Sequence, residues 1–183
     1  VNSGGQRTQL DDVLIGGREK ARIVIVDYDP AWPARFERER DRVRRALGAS
    51  AYRIEHIGST AVPGLAAKPI IDVLVAVADP DDDALIVPAM EAAGYELRVR
   101  EPGHRMFRTP ARDVHVHIRS DRDPELLRHL SFRDRLRRSP DDRLAYQRLK
   151  REVATRDWDD MNEYAEAKGP FIAAVLAGED RDP

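Results

Sequence analysis

The sequence contains no cysteine, which excludes disulfides, thiolate metal ligands and cysteine nucleophiles together. It also lacks a long apolar run. The longest, over residues 69–78, is interrupted by Asp72 and falls well short of a membrane span, so no membrane partner is expected. No stretch combines a charged start, an apolar middle and a small-residue cleavage site, so a cytoplasmic location is the default expectation. Tryptophan is scarce, and Trp32 and Trp158 read as core or rim aromatics rather than base-stacking platforms. Neither sign of charge dominates: Lys and Arg total 31 against 33 for Asp and Glu, a net charge of −2. That balance gives no clear signal for nucleic-acid binding.

What is present is a chain of 183 residues with 42% hydrophobic and 35% charged side chains, enough for one core beneath a charged surface. Residues 1–21 are expected to form a flexible tail and 22–183 a single domain. Residues 22–26 alternate weakly and predict a short strand. Asp29-Pro30 predicts a helix start, with Phe36, Val43, Ala46 and Leu47 as its buried stripe and Gly48 as its end. Residues 52–57 read as a strand, 58–64 as a loop and 69–77 as a central strand. An acidic start at 79–83 opens a helix that ends at Gly94, with a kink at Pro88. Three short strands follow, over 94–100, 105–109 and 114–119. Asp123-Pro124 and Ser139-Pro140 then mark two capped helices, whose apolar positions are Leu126, Leu127, Leu130, Phe132 and Leu136, then Leu144, Leu149 and Val153. A last helix runs from about Asp159 and bends at Gly169-Pro170.

The chemistry concentrates in Glu55-His56-Ile57-Gly58-Ser59-Thr60 and Lys68-Pro69-Ile70-Ile71-Asp72. A strand ends in Gly-Ser, and an apolar strand brings a carboxylate back beside that loop. Glycine lets backbone approach a phosphate, serine adds a hydroxyl, and a carboxylate can hold a divalent cation. Alternatively, Asp72 sits at a strand end and caps a helix or pairs with Lys68. His115 and His117, two apart on a strand, point to one face. They either line a polar cleft or join His56 and Asp72 in a nitrogen-and-oxygen metal site.

The run from Ile54 to Asp72 resembles the signature of the GrpB family. Tyr28-Asp29-Pro30-Ala31-Trp32-Pro33 is similar to the family's start, and Val114-His115-Val116-His117-Ile118 to its histidine strand. The stretch from His129 to Arg137 resembles its helical motif, followed by Tyr146, Leu149 and Lys150. Tyr164, Lys168, Phe171 and Ile172 match its closing pattern. The resemblance spans about residues 24–176. It implies an α+β, nucleotidyltransferase-like fold, with a small mixed β-sheet flanked by helices and a helical C-terminal third. It also implies a nucleoside triphosphate or other phosphorylated small molecule as ligand, and a divalent metal, Mg or a transition metal, as cofactor.

Under that resemblance, Asp72 and Ser59 are the candidate catalytic residues. Gly58, Ser59, Thr60, Lys68, Arg133 and Lys150 are candidates for phosphate, Asp72, His115 and His117 for metal, and Glu55, His56, Tyr164 and Lys168 for the rest of the cleft. Arg133, Lys150 and Lys168 can equally be surface charges, and Tyr164 can simply pack. Active superfamily members carry two carboxylates two residues apart after Gly-Ser and a third on a neighbouring strand. Here the first position is Ile70 and the third falls on the histidine strand. Three functions follow: nucleotidyl transfer to an unknown acceptor, a non-catalytic nucleotide-binding or accessory domain such as the family's fusions to dephospho-coenzyme A kinase, or a histidine-based metal-dependent hydrolase.

Overall fold

A computed structural model describes residues 13–20, 22–158 and 161–179. Its centre is a five-stranded mixed sheet built from β1 (Arg53–Ile57), β2 (Ile71–Val77), β3 (Glu96–Glu101), β4 (His104–Arg108) and β5 (Val114–Ser120), in the order β1-β2-β5-β4-β3. Only β2 and β5 are parallel; the other neighbours run antiparallel. This is the α+β arrangement, with a helical C-terminal third, that the nucleotidyltransferase-like resemblance implies. No helix among the described residues is long and apolar enough to cross a membrane.

Strand alternation divides the sheet into two unlike faces. On one face, Ile71, Val73, Val75 and Val77 of β2 and Val114, Val116 and Ile118 of β5 form the main core. Helices α1 (Trp32–Leu47) and α2 (Asp83–Ala92) cover it with Trp32, Phe36, Val43, Leu47, Ile86 and Met90. On the other face, Leu126 and Leu130 of α3 (Pro124–Arg138) pack on Ile57, Leu74 and Ala76. Asp72, His115 and His117 share this second face by the same alternation. A third apolar cluster joins the 58–67 loop to α3 and to the C-terminal helices α4 (Pro140–Ala154) and α6 (Gly169–Glu179), between which lies the short α5 (Met161–Glu166). In it, Val62 and Leu65 meet Leu136 and Tyr146, with Phe171 and Ile172 alongside.

Local signals account for the helix ends. Asp123 accepts from the Glu125 N–H at 2.9 Å, and Ser139 from that of Asp142 at 3.2 Å, each followed by proline. The first helix starts later than expected: Asp29-Pro30 forms a turn, Ala31 is the cap residue and Pro33 lies in the first helical turn. Residues 22–26 do not form a strand, because among the described residues their backbone finds one bridge partner, at Val26–Ala67. Leu127 and Leu144 are 63% and 49% exposed, so the apolar stripes of α3 and α4 are narrower than their sequences suggest. Pro88 sits inside α2, which remains one helix. The last helix is two, α5 and α6, separated by a turn at Ala167-Lys168; its expected start at Asp159 lies outside the described residues.

Of the expected tail, residues 1–12 and 21 lie outside the described residues. Leu14 forms an antiparallel bridge with Val99 of β3, and Glu19 receives Arg108 at 2.8 and 3.0 Å. The segment therefore lies along the outer strand of the sheet.

Ser139→Ala removes a helix cap and is expected to cost about 1 kcal/mol in urea denaturation with an unchanged slope. Leu144→Ala, on the exposed side of the same helix, is expected to stay within about 0.5 kcal/mol.

Candidate metal and phosphate site

The site begins with Asp72 at the head of β2. In the parallel register Asp72 lies opposite His115 and Leu74 opposite His117, so both imidazoles come beside the carboxylate. His115 Nδ1 is 3.5 Å from Asp72 Oδ1, and these side chains are 25% and 27% exposed. Asp72, His115 and His117 offer ligand atoms that all lie within 4.8 Å of one another. Burial alone would raise the Asp72 pKa. The neighbouring His115 imidazole, with His117 and Lys68 beyond it, outweighs that cost and holds the carboxyl below its usual range.

Gly58 makes room for that carboxylate. Its backbone has φ 69° and ψ −174°, a conformation essentially confined to glycine. A Cβ there would stand 2.2 Å from Asp72 Oδ2. The next residue, Ser59, opens a short 3-10 turn.

The loop after Ser59 is fastened by the C-terminal helices. Arg137 donates to the Ala61 carbonyl at 3.0 and 2.8 Å, Lys150 to the Ala66 carbonyl, and the Ala66 N–H to Gln147 Oε1 at 2.9 Å. Next to this lie Lys68 and Lys168, 5.2 and 4.3 Å from the centre of the Tyr164 ring. Burial lowers the pKa of both lysines. Lys168 falls to about 8, helped by repulsion from Lys68 and opposed by Asp72. Lys150 is driven to about 7 by burial, with Lys168 and Arg151 adding repulsion.

The structure thus brings together Gly58, Ser59, Lys68, Asp72, His115, His117, Tyr164 and Lys168. It turns five other candidates to different work. His56 points to the opposite face, stacked on Phe36 with ring centres 4.6 Å apart. Thr60 is buried, 3.0 Å from His56 Nε2, and donates its own hydroxyl to the Ile70 carbonyl at 3.0 Å. Arg133 donates to Glu55 at 2.8 Å, to the His56 carbonyl at 3.0 Å and to both Asp134 oxygens, so it ties α3 to β1 and engages Glu55 with it. Lys150, with its carbonyl partner and its ammonium 5.0 Å from the Tyr146 ring centre, holds the loop from beneath.

Two residues at this face escape sequence reasoning. The His104 and His117 rings are nearly parallel with centres 5.4 Å apart, and the ring of His129 of α3 lies 6.3 Å from that of His117. Burial is the leading cause that holds the His104, His117 and His129 pKa values below the ordinary imidazole value.

Similarity to known proteins was found over most of the chain. A family model described as GrpB protein matches residues 22–178. A UPF0157 protein of Streptomyces coelicolor is 49% identical over 175 residues, covering 95% of this chain and 94% of that protein. The crystal structure of a conserved protein GrpB from Enterococcus faecalis superposes with a TM-score of 0.74 at 38% identity, covering 83% of this chain and 94% of that one. A dephospho-CoA kinase of Mycolicibacterium paratuberculosis is 32% identical over 183 residues, which cover 84% of this chain but 45% of the kinase.

Gly58→Ala is expected to destabilise the protein by about 2–3 kcal/mol in urea, from backbone strain and displacement of Asp72. The buried His56 has its pKa lowered to about 4 by desolvation. A depressed folded-state pKa gives stability that is complete above the unfolded value near 6.5 and lost as pH falls through 4. Urea midpoints from pH 7 to 4 are therefore expected to fall less steeply for His56→Gln than for the parent chain, even if the variant is weaker at pH 7.

Proposed function

We propose that this chain, which belongs to the GrpB family, binds a phosphorylated small molecule, a nucleoside triphosphate first among them, at a divalent metal held by Asp72, His115 and His117. The observation that carries this reading is the convergence of one carboxylate and two imidazoles within 4.8 Å beside the Gly58-Ser59 loop. One oxygen and two nitrogen donors suit a transition metal better than Mg²⁺, which wants oxygen ligands throughout. A bound metal would supply positive charge for the oxygens of the ligand. Lys68 and Lys168 stand on the same side, and neither enters an ion pair among the described residues. Two half-buried ammonium groups that repel each other favour a polyanion between them.

The site supports binding better than transfer. In the superfamily that the sequence resembles, nucleotidyl transfer needs two metal ions bridged by paired carboxylates. Ile70 occupies one of those positions and has no ligand atom. Losing a bridging carboxylate should cost several kcal/mol in the transition state, roughly a thousandfold or more in rate. A binding or accessory role also agrees with the relative named as a dephospho-CoA kinase, of which this chain spans 45%. Nucleotidyl transfer, with Asp72 and Ser59 as the catalytic pair, is the competing reading.

Thermal shift with Mn²⁺, Zn²⁺ and Mg²⁺, with and without ATP, GTP, CTP and UTP, tests the proposal alongside a pyrophosphate-release assay. At about 100-fold excess over Kd, a ligand adds about 2.7 kcal/mol, or roughly 5–10 °C for a domain of this size. We expect a shift with a transition metal, a further shift with nucleotide, their loss in Asp72→Asn and in His115→Ala, and no pyrophosphate. Brisk pyrophosphate release abolished by Asp72→Ala would replace binding by transfer. No shift with any metal or nucleotide would end both readings.

A further inference from the structure

The turn between β3 and β4 brings a second pair of groups to the metal face from behind. Glu101 and His104 are register partners at the tip of the hairpin. His104 lies opposite Arg119, which makes it the diagonal neighbour of His117 on the same face of the sheet. The tip is braced. Gly103 takes φ 77°, and its N–H is accepted by both oxygens of Asp81 at 3.0 and 3.1 Å. Arg105, the residue after His104, is itself fixed by Asp81 at 2.8 Å and Asp83 at 2.7 Å.

Within this frame the hydrogens can be counted. Glu101 Oε1 is 2.6 Å from His104 Nδ1, and His104 Nε2 is 3.2 Å from His117 Nδ1. An ionised carboxylate only accepts, so the hydrogen between Glu101 and His104 sits on Nδ1 of His104. A neutral His104 then has a bare Nε2 and must accept from His117. That puts the His117 hydrogen on Nδ1 and leaves the Nε2 lone pair free. His104 is 7% exposed, enclosed between His117 and the braced hairpin tip, where an additional charge on the ring is costly. The His104 and His117 rings are inclined by only 7° with centres 5.4 Å apart, as an in-plane N–H···N contact between two imidazoles requires.

We propose that Glu101 and His104 are positioning residues that fix His117 as its Nδ1–H tautomer, so that Nε2 is the atom offered to the Asp72–His115 pair. A neutral histidine ligates through one nitrogen while its other N–H is held by an acceptor, and losing such an acceptor typically weakens metal binding about 10–100-fold. The metal arm of this inference rests on the binding function proposed above; the tautomer arm does not.

The test uses the full chain labelled with ¹⁵N, free of metal, at neutral pH. Long-range ¹H–¹⁵N correlation of the imidazoles is expected to show His117 protonated at Nδ1 and bare at Nε2. His104→Phe keeps an aromatic ring at this position but removes the acceptor. It is expected to abolish that tautomer preference and weaken Zn²⁺ binding about 10–100-fold by calorimetry. His104→Gln, which supplies an amide oxygen as acceptor, is expected to restore much of both. Should His104→Phe fail to fold, Glu101→Ala gives the same readouts from outside the cluster. A wild-type His117 protonated at Nε2 would overturn the proposal, as would unchanged Zn²⁺ affinity in a folded His104→Phe variant. If the wild-type chain binds no Zn²⁺ yet shows the Nδ1–H tautomer, the binding function falls while the positioning role of His104 stands on the spectrum.

Discussion

The Asp72 carboxylate, set into the head of a central strand, is the constraint around which this face of the molecule is arranged. A charge in that position is costly unless it is answered, and the answers come from three directions. His115 arrives through the parallel register with β5, Lys68 through the loop that precedes β2, and empty space through the missing Cβ of Gly58. The same carboxylate explains why the Gly58-Ser59 turn cannot be a generic surface turn. Its backbone has to stand close enough to Asp72 that no other residue type fits, and the C-terminal helices then have to hold the loop there.

That holding role redistributes the cations. Arg133, Arg137 and Lys150 all reach inward, and all end on main-chain carbonyls of the 56–66 segment. A phosphate ligand would have to displace partners that these groups already have. Lys68 and Lys168 differ, because each meets the Tyr164 ring rather than a carbonyl or carboxylate. The distinction separates structural charge from charge available to a ligand, and it lies in partners that composition and spacing do not reveal.

Features fixed by neighbours in sequence were the most legible. The caps at Asp123 and Ser139, the strand containing Asp72 and the common face of His115 and His117 all depend on short-range rules of capping and alternation. Strand 22–26 failed because a strand needs a partner along its length, and among the described residues Val26 finds Ala67 alone. Leu127 and Leu144 failed because periodicity does not say how wide the stripe is that the neighbours cover. His56, a cleft candidate by its place in the motif, is next to Ile57, which faces the other way, so alternation itself separates the two. His104 and His129 could not be found locally. Their approach to His117 depends on the β4–β5 register and on where α3 crosses the sheet, which are tertiary facts.

The single parallel pairing in the sheet has a consequence for how the chain reaches this state. β2 and β5 are separated by a helix and a hairpin, so Asp72 meets His115 only after that whole excursion has closed upon itself. Closing a long loop carries an entropic cost before any contact repays it, and such non-local pairings tend to form late. The α2–β3–β4 excursion is by contrast made of a helix and a local hairpin, which can organise on their own timescale. The face that carries Asp72 and His115 should therefore be among the last parts of the protein to assemble. A nascent chain that has not yet delivered β5 would carry the Gly58-Ser59 loop and Asp72 without the imidazole that answers the carboxylate.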